Sequence, residues 1–137
     1  MKLYLDASAL AKRYLLEPGS ETVLNRCQHA EEILSSAICV PEIASIFHRW
    51  RRERKLSEDL YHLLKGEFAA DIEQAILVEP GTEVLREAVF CIEKTGLRTL
   101  DAIHLASALK TGCDLFLSAD IQQQKAARVM GLRVEEI

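Results

Sequence analysis

The chain has 137 residues, which is enough for one average domain, and a second independent core is not expected at this length. With 49% hydrophobic and 28% charged residues, and only six glycines and three prolines, the composition excludes disordered and fibrous classes. The formal net charge of -4 argues against a general nucleic-acid coat protein, which would need excess Lys and Arg to neutralise phosphates, although a local basic strip is compatible with it. We therefore expect one globular domain over residues 1–137.

The N-terminal segment and the spacing of the cysteines predict a cytoplasmic protein. Charged residues from Lys2 to Glu17 interrupt the first apolar stretch, so neither a signal peptide nor a membrane span fits. No later window approaches the roughly 18 uncharged apolar residues that a span needs. The cysteines are widely spaced with no Cys-x-x-Cys pair, which predicts reduced, buried thiols rather than disulfides or zinc ligands. They are Cys27, Cys39, Cys91 and Cys113.

Strands and helices are predicted to alternate along the chain, from turn residues, capping residues and apolar periodicity. In the first half we predict a strand at 3–5, a helix opened by Ser8 and ending near Pro18, a helix capped by Ser20 and running through Cys27, a strand at 33–36, a helix from Pro41 and a helix capped by Ser57. In the second half we predict a strand at 76–78, a helix at 82–94, a helix capped by Thr99, a strand at 115–117, a helix ending near Met130 and a strand at 133–135.

This alternation predicts the fold class. Strands that alternate with helices imply right-handed crossovers and a parallel sheet covered on both faces. We therefore expect a three-layer α/β fold with a short parallel sheet of four to five strands. The helix beginning at Thr99 is apolar nearly all round, with a narrow polar stripe that includes Asp101 and His104. That helix should be the most deeply buried one.

Acidic residues fall where the predicted strands end. Asp6 directly follows the first strand, Asp120 follows the fourth, and Glu42 stands near the start of the helix after the second. Ligands of open parallel sheets bind outside the carboxyl ends of the strands, so these carboxylates are expected along one edge. Asp101 lies in the first turn of the most apolar helix, and we infer that it joins them.

Four neighbouring carboxylates would repel one another unless they were protonated or held a cation. Oxygen-only ligands favour Mg²⁺ or Mn²⁺. Such ions orient water, lower its pKa and stabilise charge on a phosphodiester, so that no protein nucleophile is required. The pattern thus indicates metal-assisted phosphodiester hydrolysis.

Four segments of the sequence resemble, in order and spacing, the motifs of PIN-domain ribonucleases, and the length and C-terminal stretch are similar to VapC toxins of toxin-antitoxin pairs. By that resemblance Asp6, Glu42, Asp101 and Asp120 are the catalytic and metal-binding acids, and Ser8 and Ser118 are supporting hydroxyls. The resemblance also implies an RNA substrate, a small antitoxin partner, a homodimer and a three-layer PIN-like fold. The four segments are Leu5–Leu10, Pro41–Ile43, Leu100–Ala106 and Phe116–Asp120.

One basic cluster lies in the third helix. At 100° per residue, Arg49 and Arg52 fall on the same side of that helix as Glu42, which predicts RNA phosphate contacts leading away from the acids. A solvated helix end is the plainer interpretation of such a charge run. Trp50 is expected to pack in the core, and His104 to be a hydrogen-bonded core residue rather than a base.

Two rival functions have to be weighed against a nuclease. A phosphotransfer receiver or phosphatase on a similar sheet would carry Asp-x-Asp after the first strand and Lys after the fourth, and neither is present. A degenerate PIN module would bind RNA or a protein partner without cleaving. The intact set of four acids argues against this second rival, and a metal-dependent cleavage assay distinguishes the two.

Overall fold

Five short parallel strands form the centre of the protein in this computed structural model, which describes all residues from Met1 to Ile137. The strands are β1 (Lys2–Leu5), β2 (Glu32–Ser36), β3 (Ile76–Val78), β4 (Leu115–Ser118) and β5 (Val134–Glu136). The helices are α1 (Ala7–Ala11), α2 (Ser20–His29), α3 (Cys39–Arg52), α4 (Glu58–Glu73), α5 (Thr82–Thr95), α6 (Thr99–Thr111) and α7 (Ile121–Val129).

The strand order β3-β2-β1-β4-β5 places β1 at the centre of the sheet. In register, Tyr4 pairs with Leu34 of β2 on one side and with Phe116 of β4 on the other. The ladder continues past the end of β1, where the Asp6 amide donates to the Leu117 carbonyl at 3.2 Å. Asp6 and the end of β4 are thereby fixed side by side at the carboxyl edge of the sheet.

Helices cover both faces of the sheet, which confirms the predicted three-layer architecture. Successive side chains of a strand point to opposite faces, and β1 accordingly sends Leu3 and Leu5 into one core and Tyr4 into the other. The first core lies against α1 to α4 and contains the large aromatic residues Phe47 and Trp50. The second lies against α5 to α7 and is rich in alanine, so these helices approach the sheet closely.

Helix α6 is the most buried helix, as predicted. Its residues from Ala102 through Ala108 are all buried, including the polar His104 and Ser107. Ser107 satisfies its hydroxyl by donating to the Ile103 carbonyl at 2.7 Å. Because α6 packs against both α5 and β2, its first turn is held firmly over the carboxyl edge of the sheet.

The predicted start and end of the first helix were wrong. Helix α1 ends at Ala11, well before Pro18, and Asp6 rather than Ser8 is its N-cap. The Asp6 side chain accepts from the Ala9 amide at 3.0 Å, so the carboxylate satisfies a backbone donor that the helix leaves free.

Three further helix starts differ by one or two residues from those predicted. Ser20 and Thr99 are first helical residues rather than caps, and α3 begins at Cys39, ahead of Pro41. Pro41 is tolerated there because the amides of a first helical turn have no partner within the helix. Ser57 does cap α4, accepting from the Leu60 amide at 3.1 Å.

Of the four cysteines predicted to be buried thiols, Cys39 and Cys91 are buried and Cys27 and Cys113 are partly buried. All four thiols are free, and burial raises the pKa of Cys39, Cys91 and Cys113 to about 11, which leaves them protonated and poorly reactive at neutral pH. None of the helices is both long and apolar enough to cross a bilayer.

Candidate active site

A cavity of about 370 Å³ opens at the carboxyl edge of the sheet, between α1, α3 and α6. All four acids predicted from the sequence line it, and each comes from a different segment of the chain. They are Asp6, Glu42, Asp101 and Asp120.

Asp6 is the most enclosed of the four acids, with only 4% of its surface exposed. Besides capping α1, it accepts a hydrogen bond from the Ser8 hydroxyl at 2.6 Å. Burial raises the pKa of Asp6, and hydrogen bonds from Ser118, Ser8 and Ala9 act in the opposite direction. The Asp6 carboxylate is therefore held in one orientation at the floor of the cavity.

The two predicted supporting hydroxyls lie next to each other beneath the acids. The Ser8 and Ser118 hydroxyl oxygens are 3.3 Å apart, and the Ala119 amide donates to Ser8 at 2.9 Å. Ser118 in turn accepts from the Asp120 amide at 3.1 Å. This network connects the start of α1 to the loop that carries Asp120, so it fixes Asp6 and Asp120 relative to each other.

Glu42 belongs to a buried chain of side-chain hydrogen bonds. Its carboxylate lies 2.6 Å from Nε2 of His104, and Nδ1 of His104 lies 2.9 Å from the Tyr4 hydroxyl. An ionised carboxylate only accepts, so Nε2–H donates to Glu42, and in the neutral imidazole the Tyr4 hydroxyl donates to Nδ1. Burial raises the pKa of Tyr4 well above its usual value, which keeps that proton on the phenol.

Asp101 is the one acid whose carboxylate accepts no hydrogen bond from the protein. Partial burial raises its pKa, and repulsion from Asp120, Asp6 and Glu42 raises it further, against an opposing effect of His104. Its backbone is held from below, because the buried Gln123 amide donates to the Asp101 carbonyl at 2.9 Å. Asp101 thus presents a fixed, unpaired carboxylate to the other three.

Asp120 is exposed and serves as the N-cap of α7. Its Oδ1 accepts from the Gln122 amide at 2.8 Å and from the Gln123 amide at 3.3 Å. The cap occupies one carboxylate oxygen and leaves the second toward solvent. Asp120 is therefore the most exposed of the four acids.

Comparison with known proteins agrees with this geometry. The sequence profile of the PIN domain family matches residues 3–129. The chain belongs to the PIN domain family. It is 31% identical over 112 residues to Ribonuclease VapC3 of Pyrobaculum aerophilum, covering 82% of this chain and 85% of that protein. It is 29% identical over 140 residues to Ribonuclease VapC46 of Mycobacterium tuberculosis, covering 96% and 95% respectively.

Solved structures share the PIN fold at lower sequence identity. FitAcB from Neisseria gonorrhoeae superposes with a TM-score of 0.72 at 15% identity, over 96% of this chain and 95% of that one. A toxin-antitoxin complex from Klebsiella pneumoniae superposes with a TM-score of 0.68 at 13% identity, over 98% and 99%. At these identities the likeness is one of fold.

The two arginines predicted to contact RNA lie in different positions relative to the cavity of this PIN domain. Arg49 lines the cavity and forms an ion pair with Glu53 at 3.6 Å. Arg52 is exposed on α3 and does not line the cavity. Trp50 is 3% exposed and packs in the core, as expected.

Apart from Ser8 and Ser118, sequence reasoning missed the residues that position the acids. The sequence marks Tyr4 only as a strand residue, and Gln123 and Gln124 only as polar residues of the helix that ends near Met130. In the structure Gln124 is buried and donates to the Ser118 carbonyl at 2.8 Å, while Gln123 supports Asp101. Only His104, which lies on the same stripe of α6 as Asp101, gave a signal in the sequence.

The four acids are the kind of ligand that binds a divalent cation, but their side chains are not oriented around a common point. No three carboxylate or imidazole groups converge on a common point at ligand distance. Asp6, Glu42 and Asp120 each use an oxygen in a hydrogen bond within the protein, but every carboxylate has a second oxygen. An all-oxygen set around the unpaired carboxylate of Asp101 is what Mg²⁺ or Mn²⁺ favours, and such an ion would relieve the repulsion that raises the pKa of Asp101.

Proposed function

We propose that this PIN domain is a divalent-metal-dependent endoribonuclease and the toxin of a toxin-antitoxin pair. The observation that carries the proposal is the carboxylate of Asp101, which has no hydrogen-bond donor and lines one cavity with three other acids. Repelling carboxylates are unfavourable unless a cation joins them. The two relatives similar along most of the chain are both named ribonucleases, which supports RNA as the substrate.

In this proposal Asp6 and Asp101 are the principal groups that hold Mg²⁺ or Mn²⁺, and Glu42 and Asp120 complete the site. When bound, the ion supplies a Lewis acid that activates water and stabilises charge on the phosphodiester. Ser8 and Ser118 keep the Asp6 carboxylate in place through their hydrogen bonds. His104 keeps Glu42 turned toward the site rather than toward solvent.

The protein partners are inferred from the family to which the chain belongs, because the site itself does not identify them. We propose a small antitoxin protein that blocks the cavity, and a homodimer of the toxin. The similar structure from Klebsiella pneumoniae is a toxin-antitoxin complex, which supports the first of these. Light scattering of the purified chain, alone and with the product of the neighbouring gene, tests both.

The nature of the cleaved ends tests the mechanism. Attack by the neighbouring 2′-hydroxyl leaves a cyclic phosphate and a 5′-hydroxyl, whereas attack by metal-activated water can leave a 5′-phosphate and a 3′-hydroxyl. We expect the second pair of ends, produced only with Mg²⁺ or Mn²⁺ present and mapped across total RNA. Cyclic phosphate ends, or cleavage that persists in chelator, would contradict the proposal.

A matched pair of variants completes this experiment. Asp6→Asn should abolish cleavage, because it removes a charge from the floor of the cavity. Asp59→Asn makes the same chemical change at an exposed residue in the first turn of α4 and should cleave as the parent does. Loss of activity in both variants would point to damage that is unrelated to the site.

A further inference from the structure

A second cavity, of about 600 Å³, adjoins the acidic site on the side away from α3. It lies between the connection from α5 to α6 and the outer face of α7. Asp101 and Asp120 line both cavities, so the two meet at these acids. The sequence analysis assigned no role to this part of the molecule.

The second cavity is basic beyond the shared acids. Lys94 comes from the last turn of α5, Arg98 precedes α6, and Lys125 comes from α7. All three are exposed and none forms an ion pair. Three chain segments therefore direct unpaired positive charge into one cavity.

The cations of the first cavity are less available. Lys12, Arg49 and Lys55 line that cavity. Lys12 donates to the Pro18 carbonyl at 2.7 Å, and Arg49 and Lys55 lie 3.6 Å and 3.5 Å from the Glu53 carboxylate. A phosphate that binds there must compete with Glu53. In the second cavity Lys94, Arg98 and Lys125 form no ion pair, and the only carboxylates are the shared Asp101 and Asp120. These three cations are therefore free to attract a phosphate.

An enzyme that cuts within a strand must hold the strand on both sides of the cut. The acids lie between the two cavities, so an RNA strand that is cut at the acids can extend into one cavity on each side of the cut. We propose that the second cavity binds the RNA backbone on one side of the scissile bond, with Lys94, Arg98 and Lys125 contacting phosphates. This inference rests on the proposed nuclease function and names a part of its substrate site.

The lining of the cavity also indicates which part of the RNA it binds. It holds no aromatic side chain, and its apolar residues are Leu97, Ala126 and Val129. Bases are usually held by stacking on aromatic rings, whereas phosphates are held by Lys and Arg without regard to sequence. The contacts here should therefore add affinity without adding sequence preference.

The test compares two triple variants that remove the same amount of positive charge. The groove variant, named for the second cavity, is Lys94→Gln with Arg98→Gln and Lys125→Gln. The control variant is Lys65→Gln with Lys110→Gln and Arg128→Gln, three exposed cations that line neither cavity. Binding of labelled oligouridine and of an unstructured mixed-sequence RNA is measured by fluorescence anisotropy across a salt series, in chelator so that nothing is cut.

We expect the groove variant to flatten the plot of log affinity against log salt by about two units, at roughly 0.7 for each single-strand phosphate that the protein no longer neutralises. The control should keep the parental slope. With Mg²⁺ and subsaturating RNA, cleavage by the groove variant should fall by the same factor as binding at that salt. The reduction should be equal for both RNAs.

Two outcomes separate this inference from the proposed function. If the parent cuts RNA but the groove and control variants share one salt slope, the groove is not an RNA site and the nuclease assignment stands. Such a result would leave a protein ligand, for example an acidic segment, as the occupant. If the parent cuts no RNA yet binding still depends on the three cations, the groove stands and the nuclease assignment fails.

Discussion

The two halves of the acidic site are built differently. On the side of β1 and α3, Asp6 and Glu42 are held by short hydrogen bonds to Ser8 and His104, which are themselves held by further partners. On the side of α6 and α7, the Asp101 carboxylate has no donor, and Asp120 is an exposed helix cap. The first half is buried or partly buried and is fixed by side-chain hydrogen bonds, whereas the second half has one carboxylate without a donor and one exposed carboxylate that caps a helix.

In the proposed metal site, this difference would separate two requirements. The hydrogen-bonded half sets geometry before any ion arrives, in the way that outer partners orient metal-binding side chains. The other half supplies negative charge that the protein itself does not compensate, which is why the pKa of Asp101 is raised by its acidic neighbours as well as by burial. Binding energy for a cation should therefore come chiefly from Asp101.

The largest expected effect contrasts the two acids of the less constrained half. Asp101→Asn should reduce cleavage at least a thousandfold, which is about 4 kcal/mol at roughly 1.4 kcal/mol per factor of ten. Asp120→Asn should cost much less, because this side chain is exposed and already occupied as a cap. Single-turnover cleavage rates measure both, and an Asp120 variant as inactive as the Asp101 variant would reverse the ranking.

Stabilisation of the folded protein by Mg²⁺ should also depend on Asp101. Mg²⁺ at about a hundred times its dissociation constant should stabilise the parent by roughly 2.7 kcal/mol, because it binds the folded chain and not the unfolded one. Asp101→Asn should lose most of this gain, which thermal melts with and without Mg²⁺ would reveal. Equal shifts in the parent and the variant would mean that the ion binds elsewhere.

The hydrogen-bonded half can be loosened without touching an acid. His104→Ala leaves Tyr4 unpartnered in the core and Glu42 free to turn, so unfolding should become easier by about 1–3 kcal/mol. Affinity for Mn²⁺ should fall by about 10–100-fold, the usual cost of losing a partner behind a metal ligand. His62→Ala, at an exposed position on α4, is the matched control. A destabilised variant with parental Mn²⁺ affinity would make His104 purely structural.

The smallest expected effect is on the pH dependence of the metal-free protein. Folding raises the pKa of Asp101 above its ordinary value of 3.8, so the ionised form at neutral pH opposes folding. In chelator, Asp101→Asn should therefore melt slightly above the parent at neutral pH. The difference should shrink as pH falls through the raised pKa and vanish below 3.8, where the parent is protonated in both states. A gap that widened in acid would have the wrong sign.

Much of the fold could be predicted because it depends on local pattern. The strand at residues 3–5, the cap at Ser57 and the buried stripe of α6 follow from periodicity and capping residues alone. The carboxyl-edge position of Asp6 and Asp120 follows from the parallel topology. The structure shows that each of these carboxylates also caps a helix, so that one group serves the helix and lines the cavity.

The supporting network could not be predicted because it joins distant parts of the chain. Tyr4 meets His104 across 100 positions of sequence, and His104 meets Glu42 across 62. Such contacts depend on strand register and on how α6 lies over β1 and β2, which no local pattern encodes. A buried glutamine such as Gln123 looks like any surface residue of a helix until the packing is known.

The free carboxylate of Asp101 has a practical consequence for producing this protein. If the proposed toxin activity is present, the parent would poison its expression host, and a complex with intact RNA would require a form that binds without cutting. Exchange at Asp6 would alter a carboxylate that accepts from both Ser8 and Ala9, and exchange at Glu42 would disturb a buried histidine. Asp101→Asn removes one charge, breaks no hydrogen bond of the carboxylate and keeps the shape of the side chain. It is the natural substrate-trapping form for crystallography and for capturing cellular RNA.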